Sequence, residues 1–142
     1  MDITQEQKEE LKKIGDSHNL KFIILHGSYA KGTPHKGSDL DIAILGNKRI
    51  PFDTILQIHG ELSDIFGDNE ERELDLKSLY RADLLLRYYV TRDGILLYGD
   101  RTEFNEFKTY ARHVFEDAQR LFHLEEQILK RQNRLILQDL HA

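Results

Sequence analysis

Two aspartates one residue apart, Asp39 and Asp41, follow a Gly27-Ser28 pair in the stretch Gly-Ser-Tyr-Ala-Lys-Gly-Thr-Pro-His-Lys-Gly-Ser-Asp-Leu-Asp. Residues two apart on an extended strand point to one face, so the two carboxylates would stand side by side. They would then repel, and one would keep its proton unless a cation joined them. Mg²⁺ is such a cation and prefers hard oxygen ligands. Gly27 has no Cβ, which lets a ligand approach the backbone closely. Ser28 adds a hydroxyl and a backbone N–H at the start of a helical turn, a ready seat for phosphate oxygens. A third carboxylate would complete a two-metal site that stabilises the attacking and leaving oxygens of an in-line displacement at phosphorus. Asp75 is the best candidate, since Leu74 and Leu76 on either side of it should turn towards the core. Near an incoming hydroxyl it could also act as the base. Glu73 shares Asp75's face and is the fallback.

Taken alone, Gly27-Ser28 is an ordinary strand-to-helix turn with an N-cap serine, and Asp75 an ordinary solvated strand residue. The joint spacing is what favours chemistry, and it needs particular elements to hold it. Residues 21–26 form a short apolar run ended by Gly27 and predict a buried strand. Residues 28–31 predict a helical turn, 32–37 a loop, and 39–45 a second strand that carries both aspartates. Residues 73–77 alternate polar with apolar and predict a half-buried third strand; if it neighbours the second, all three carboxylates converge. Around these lie a helix over about 4–17, with Thr4 and Gln7 spaced as a capping box, and a helix from Pro51 with Ile55, Ile58, Leu62 and Ile65 on one face. A helix over 82–90 and a short strand at 95–98 complete the core. From Thr102 a long apolar stripe, Phe104 through Ala111 and Leu121 to Leu135, predicts a helix to the C-terminus, interrupted on its own face by Glu125 and Gln132. The expectation is α+β: a core over residues 1–100 and a C-terminal helical arm over 101–142 within the same compact domain.

Composition narrows the function. With 142 residues the chain is one domain long and can bury one real core. It has no cysteine, which excludes disulfides, thiolate metal sites and a cysteine nucleophile. Lys and Arg total 20 against 25 Asp and Glu, for a net charge of -5, the wrong balance for a stable nucleic-acid binder. A mononucleotide carried with Mg²⁺ remains compatible, because the metal neutralises phosphate charge locally. The polar N-terminus lacks the pattern of a signal peptide, and no apolar run is long enough to cross a membrane, so the cytoplasm is the expected home.

At Gly27-Ser28, the ten-residue spacer from Tyr29 to Ser38, and Asp39-Leu40-Asp41, the chain resembles the polymerase-β-like nucleotidyltransferases. Among them it is most similar to the minimal members, the MNT-domain antitoxins. Gly32 and Ser38 also fit, and the match is local, from Ile23 to Leu45. The resemblance implies a mixed sheet with flanking helices. It implies ATP as substrate, held at Gly27 and Ser28, with Mg²⁺, as two ions, on Asp39, Asp41 and, by strand pattern rather than a strict motif, Asp75. It also implies a partner, a HEPN-type toxin that is a helical ribonuclease, neutralised by transfer of AMP to one of its tyrosines in a type VII toxin–antitoxin pair. Two other readings stand beside this one: a module that blocks its toxin by contact alone, and a nucleotidyltransferase acting on a small molecule or RNA.

Other residues carry weaker signals. Lys31 and Lys36 are equally phosphate contacts or exposed loop lysines. Arg87 and Arg92 are remote candidates for the nucleotide. Tyr88, Tyr89 and Tyr110 suit packing better than modification. The histidines, His26 included, offer no pair four apart on one helix and are taken as surface or packing residues. The far end of the arm, residues 124–140, is long enough to overhang the body and meet a partner helix.

Overall fold

The computed structural model describes residues 1–141. Four strands form one mixed sheet in the order β3-β2-β1-β4. β1 (Leu20–His26) lies antiparallel to both β2 (Leu40–Gly46) and β4 (Ile95–Tyr98), while β2 and β3 (Leu74–Ser78) run parallel. β1 and β2 read as near-continuous apolar runs because both of their faces are covered.

Strand alternation divides the core in two. Ile23, Leu25, Ile42 and Ile44 turn to one face and pack with Leu11 and Ile14 of α1 (Gln5–Ser17) and with Ile58, Leu62 and Phe66 of α3 (Phe52–Phe66). Phe22, Ile24 and Ala43 turn to the other face, against Val90 of α4 (Leu84–Asp93) and Phe104 of α5 (Arg101–His141). Phe22 meets Phe104 edge-on, with ring centroids 5.6 Å apart. The expected capping box closes α1: the Gln7 N–H donates to Thr4 Oγ1 at 3.1 Å and the Thr4 N–H donates to Gln7 Oε1 at 3.0 Å.

The short helix α2 (Gly27–Lys31) leaves the end of β1 directly. Only the first part of α5 packs on the body, its buried residues being Phe104 and Ala111. Ala142, the last residue of the expected arm, lies outside the described residues. Among the described residues, no helix is long and apolar enough to cross a membrane.

Candidate functional site

The parallel register of β2 and β3 sets Asp41 directly beside Asp75, and the antiparallel register of β1 sets His26 beside Asp41. Leu74 and Leu76 belong to the α1/α3 side. Alternation therefore places Asp75 and Lys77 on the opposite face, in line with Asp41 and Ala43. Asp75 is near enough for its charge to act on the Asp41 carboxyl. Glu73 precedes the strand with its side chain exposed. Its carbonyl accepts from the Leu40 N–H at 2.8 Å.

Asp39 differs from expectation. β2 starts at Leu40, so Asp39 sits exposed at the strand's entrance rather than within it. The reason is the loop: Ser38 is tied back to His35, its Oγ accepting from the His35 N–H at 2.9 Å and its N–H donating to the His35 carbonyl at 3.0 Å. The ladder begins two residues after Ser38, at Leu40. Asp39 still adds its charge to Asp41, though less than Asp75 does. Among the described residues no three of these groups close into one metal-ligand cluster. Mg²⁺ is commonly held by one or two carboxylates with water and substrate phosphates completing its shell, so Asp41 and Asp75 suffice as hard oxygen donors.

Gly27 opens α2 with φ +71, and a Cβ at this position would collide with Asp41 Oδ2. Glycine thus allows the turn to close down on the carboxylate. Ser28 lies inside the first turn of α2; His26, not Ser28, holds the N-cap position and makes no side-chain cap bond. Lys31, at the end of that helix, is drawn to Asp93 of α4 at 3.7 Å. Lys36 lines a cleft of about 740 Å³ with Tyr29, Arg72, Glu70 and Glu71, whose lining includes none of the three carboxylates. Arg87 is committed to structure, its Nε donating to the Leu79 carbonyl at 2.9 Å. Arg92 pairs with Asp93 at 2.7 Å and lies over the Tyr89 ring. Tyr88 stacks on Phe115 at 4.2 Å, and Tyr110 is exposed.

Two residues that the sequence reading did not select belong to the site. Lys77 Nζ stands 3.3 Å from Asp75 Oδ2 and offsets part of the paired negative charge. His26 is buried, and its Nε2 has no hydrogen-bond partner. Both were accessible from pattern: Lys77 is two residues from Asp75 on one strand, and His26 continues the face of Phe22 and Ile24.

The electrostatics follow from this crowding. Burial first, then the Asp75 charge, pushes the Asp41 carboxyl up from 3.8 to about 6, with Lys77 pulling the other way. Burial, then Lys77, lowers His26 from 6.5 to about 4. Between pH 3.8 and about 6 only the folded chain keeps the Asp41 proton, so that group's stabilising contribution is lost as pH rises. His26 acts in reverse: it must protonate on unfolding between about 4 and 6.5, and its contribution is lost as pH falls. In metal-free buffer the two slopes should nearly cancel, and Asp41→Asn should expose a stability that declines towards acid. Urea unfolding at stepped pH reads this directly. An Asp41→Asn profile as flat as wild type would remove the strain assigned to Asp41.

Known proteins resemble this chain in sequence and in fold. The profile of the polymerase beta nucleotidyltransferase family matches residues 9–103. The protein adenylyltransferase MntA of Shewanella oneidensis is 33% identical over 101 residues, covering 70% of this chain and 69% of that protein. The protein adenylyltransferase MntA of Aphanizomenon flos-aquae is 33% identical over 100 residues, 63% of this chain and 64% of its own length. The solved structure of a toxin–antitoxin with AMP-PNP superposes with a TM-score of 0.66 at 23% identity, over 95% of this chain and 98% of its counterpart. That likeness carries the shared fold across nearly the whole chain.

Proposed function

This chain belongs to the polymerase beta nucleotidyltransferase family, and we propose that it is an antitoxin that transfers AMP from ATP to a tyrosine of a HEPN toxin, silencing it. The observation that carries the reading is the Asp41–Asp75 pairing against Gly27, at the mouth of a sheet whose relatives are named for adenylyl transfer to protein. Gly27 and Ser28 hold the triphosphate of ATP, on the turn that Gly27 lets close down on the Asp41 carboxylate. Asp39, Asp41 and Asp75 are the residues that would hold Mg²⁺, which when bound neutralises the charge of the phosphates and orients them. Asp75 is the third carboxylate in preference to Glu73, because it alone stands opposite Asp41 in register. The toxin tyrosine's oxygen forms a bond to the α-phosphorus, the bond to the bridging oxygen breaks, and pyrophosphate leaves. The tyrosine proton passes to a carboxylate, the role assigned to Asp75 in this reading. With ATP as substrate and a ribonuclease as partner, the cytoplasm is the compartment this reading supports.

The test is incubation of the chain with ATP, Mg²⁺ and the HEPN toxin, followed by intact mass. Gain of whole AMP units on the toxin is the expected result, lost when EDTA replaces Mg²⁺. A toxin silenced in a stable complex with no added mass would replace this reading with inhibition by contact. AMP found on a small molecule or RNA instead would replace it with a different acceptor.

A further inference from the structure

From residue 119 to residue 141 every side chain of α5 is exposed, so the helix projects about 35 Å beyond the body. The projection is not polar. Leu121, Leu124, Ile128 and Leu135 form one ridge, and Phe122, Leu129, Ile136 and Leu140 form a second, each side chain between 48% and 74% exposed. At 3.6 residues per turn, Glu125, Gln132 and Asp139 fall between the two ridges as a polar line with a repeat of about 10.5 Å. A single-helix seam would want that line apolar. Two ridges astride a polar line fit a different surface, the groove between two helices, with each ridge against one helix.

We propose that the free end of α5 is the docking element for a helical protein partner. It lies in a groove between two of the partner's helices, whose floor presents cations or hydrogen-bond donors to Glu125, Gln132 and Asp139. Identifying that partner as the toxin rests on the function proposed above. Charge disfavours a second copy of this chain in its two symmetric pairings about Gln132. In-register parallel pairing sets Glu125 against Glu125, and antiparallel pairing about Gln132 sets Glu125 against Asp139, acid against acid in both. Lys130 and Arg134 lie on the far side of the helix and cannot relieve this, and Lys130 is already paired with Glu126 at 3.2 Å. The area also suffices: eight large side chains about half exposed offer surface on the order of the roughly 800 Å² that one partner gives to a standard interface.

The test uses the full chain and the HEPN toxin in titration calorimetry. Ile128→Glu/Leu135→Glu and Leu129→Glu/Ile136→Glu should each weaken binding at least 100-fold, and Glu125→Lys/Asp139→Lys at least tenfold. Lys130→Glu/Arg134→Glu, on the far face, should leave it unchanged. ATP affinity and helical circular dichroism should match wild type in all four, which separates lost docking from lost folding. If only one ridge matters, the two-helix groove is overturned. The proposal also falls if both ridge variants bind the toxin normally, while AMP transfer by wild type would keep the function intact. Self-association of the chain that either ridge variant abolishes, with toxin binding unchanged, would assign the surface to a second copy. Wild type that neither binds nor modifies the toxin would overturn the function and this docking together.

Discussion

Asp41→Asn is expected to reduce AMP transfer to the toxin by roughly 10²–10³-fold, the order seen when a preorganised charge-stabilising group is removed from an active site. Asp41 has the central position among the three acids: it faces Asp75 in register, lies against Gly27, and feels Asp39 at the strand entrance. Asparagine keeps the shape and removes the charge, so a hard cation loses a ligand without a cavity being made. The same change should not destabilise the metal-free chain at neutral pH. Burial and Asp75 already oppose ionisation of this carboxyl, holding it near 6, and a neutral amide removes that opposition. Loss of transfer with an equal or higher melting temperature is therefore the expected signature, a functional group retained against local stability. Intact-mass time courses and thermal melts in EDTA measure the two halves. A variant that still modified the toxin at the wild-type rate would remove Asp41 from the chemistry. A variant that lost both activity and stability would make Asp41 a structural residue instead.

Much of this site is legible in the sequence because strand alternation is a strict rule. Leu74 and Leu76 flanking Asp75 fix which way its carboxyl turns, and the structure sets it beside Asp41. The apolar run before Gly27 likewise fixes where β1 ends and α2 begins. What alternation cannot give is the point where a ladder starts. Asp39 falls outside β2, between the Ser38 that bonds back to His35 and the first paired residue, Leu40, a matter of loop geometry that no period encodes. His26 is missed for another reason. Histidines matter here through the strand opposite them, and a search for two on one helix cannot find one that stands beside Asp41 across a ladder. The long stripe of α5 predicts a helix correctly, yet its apolar period is the same whether the stripe is covered or free. Only the fold shows that cover ends near residue 118.

Gly27→Ala is expected to be the second most damaging change, costing about 10²-fold in transfer, the scale of a misplacement of roughly 1 Å at a reacting centre. Two separate effects act at this position. The backbone holds φ +71, where an L side chain costs roughly 1–2 kcal/mol. The new methyl would also collide with Asp41 Oδ2, so the carboxyl must turn or the turn must open. The first effect lowers stability, whereas the second disturbs the pair formed by Asp41 and Asp75. Gly32→Ala separates them, since it shares the left-handed backbone at φ +73 but has open space where its Cβ would stand. Gly32→Ala should lower the melting temperature by a similar amount and retain most of the transfer rate, while Gly27→Ala loses both. Equal losses of rate in the two variants would mean that backbone strain alone accounts for Gly27. In that case the closeness of the turn to Asp41 would have no part in holding the triphosphate against the carboxylates.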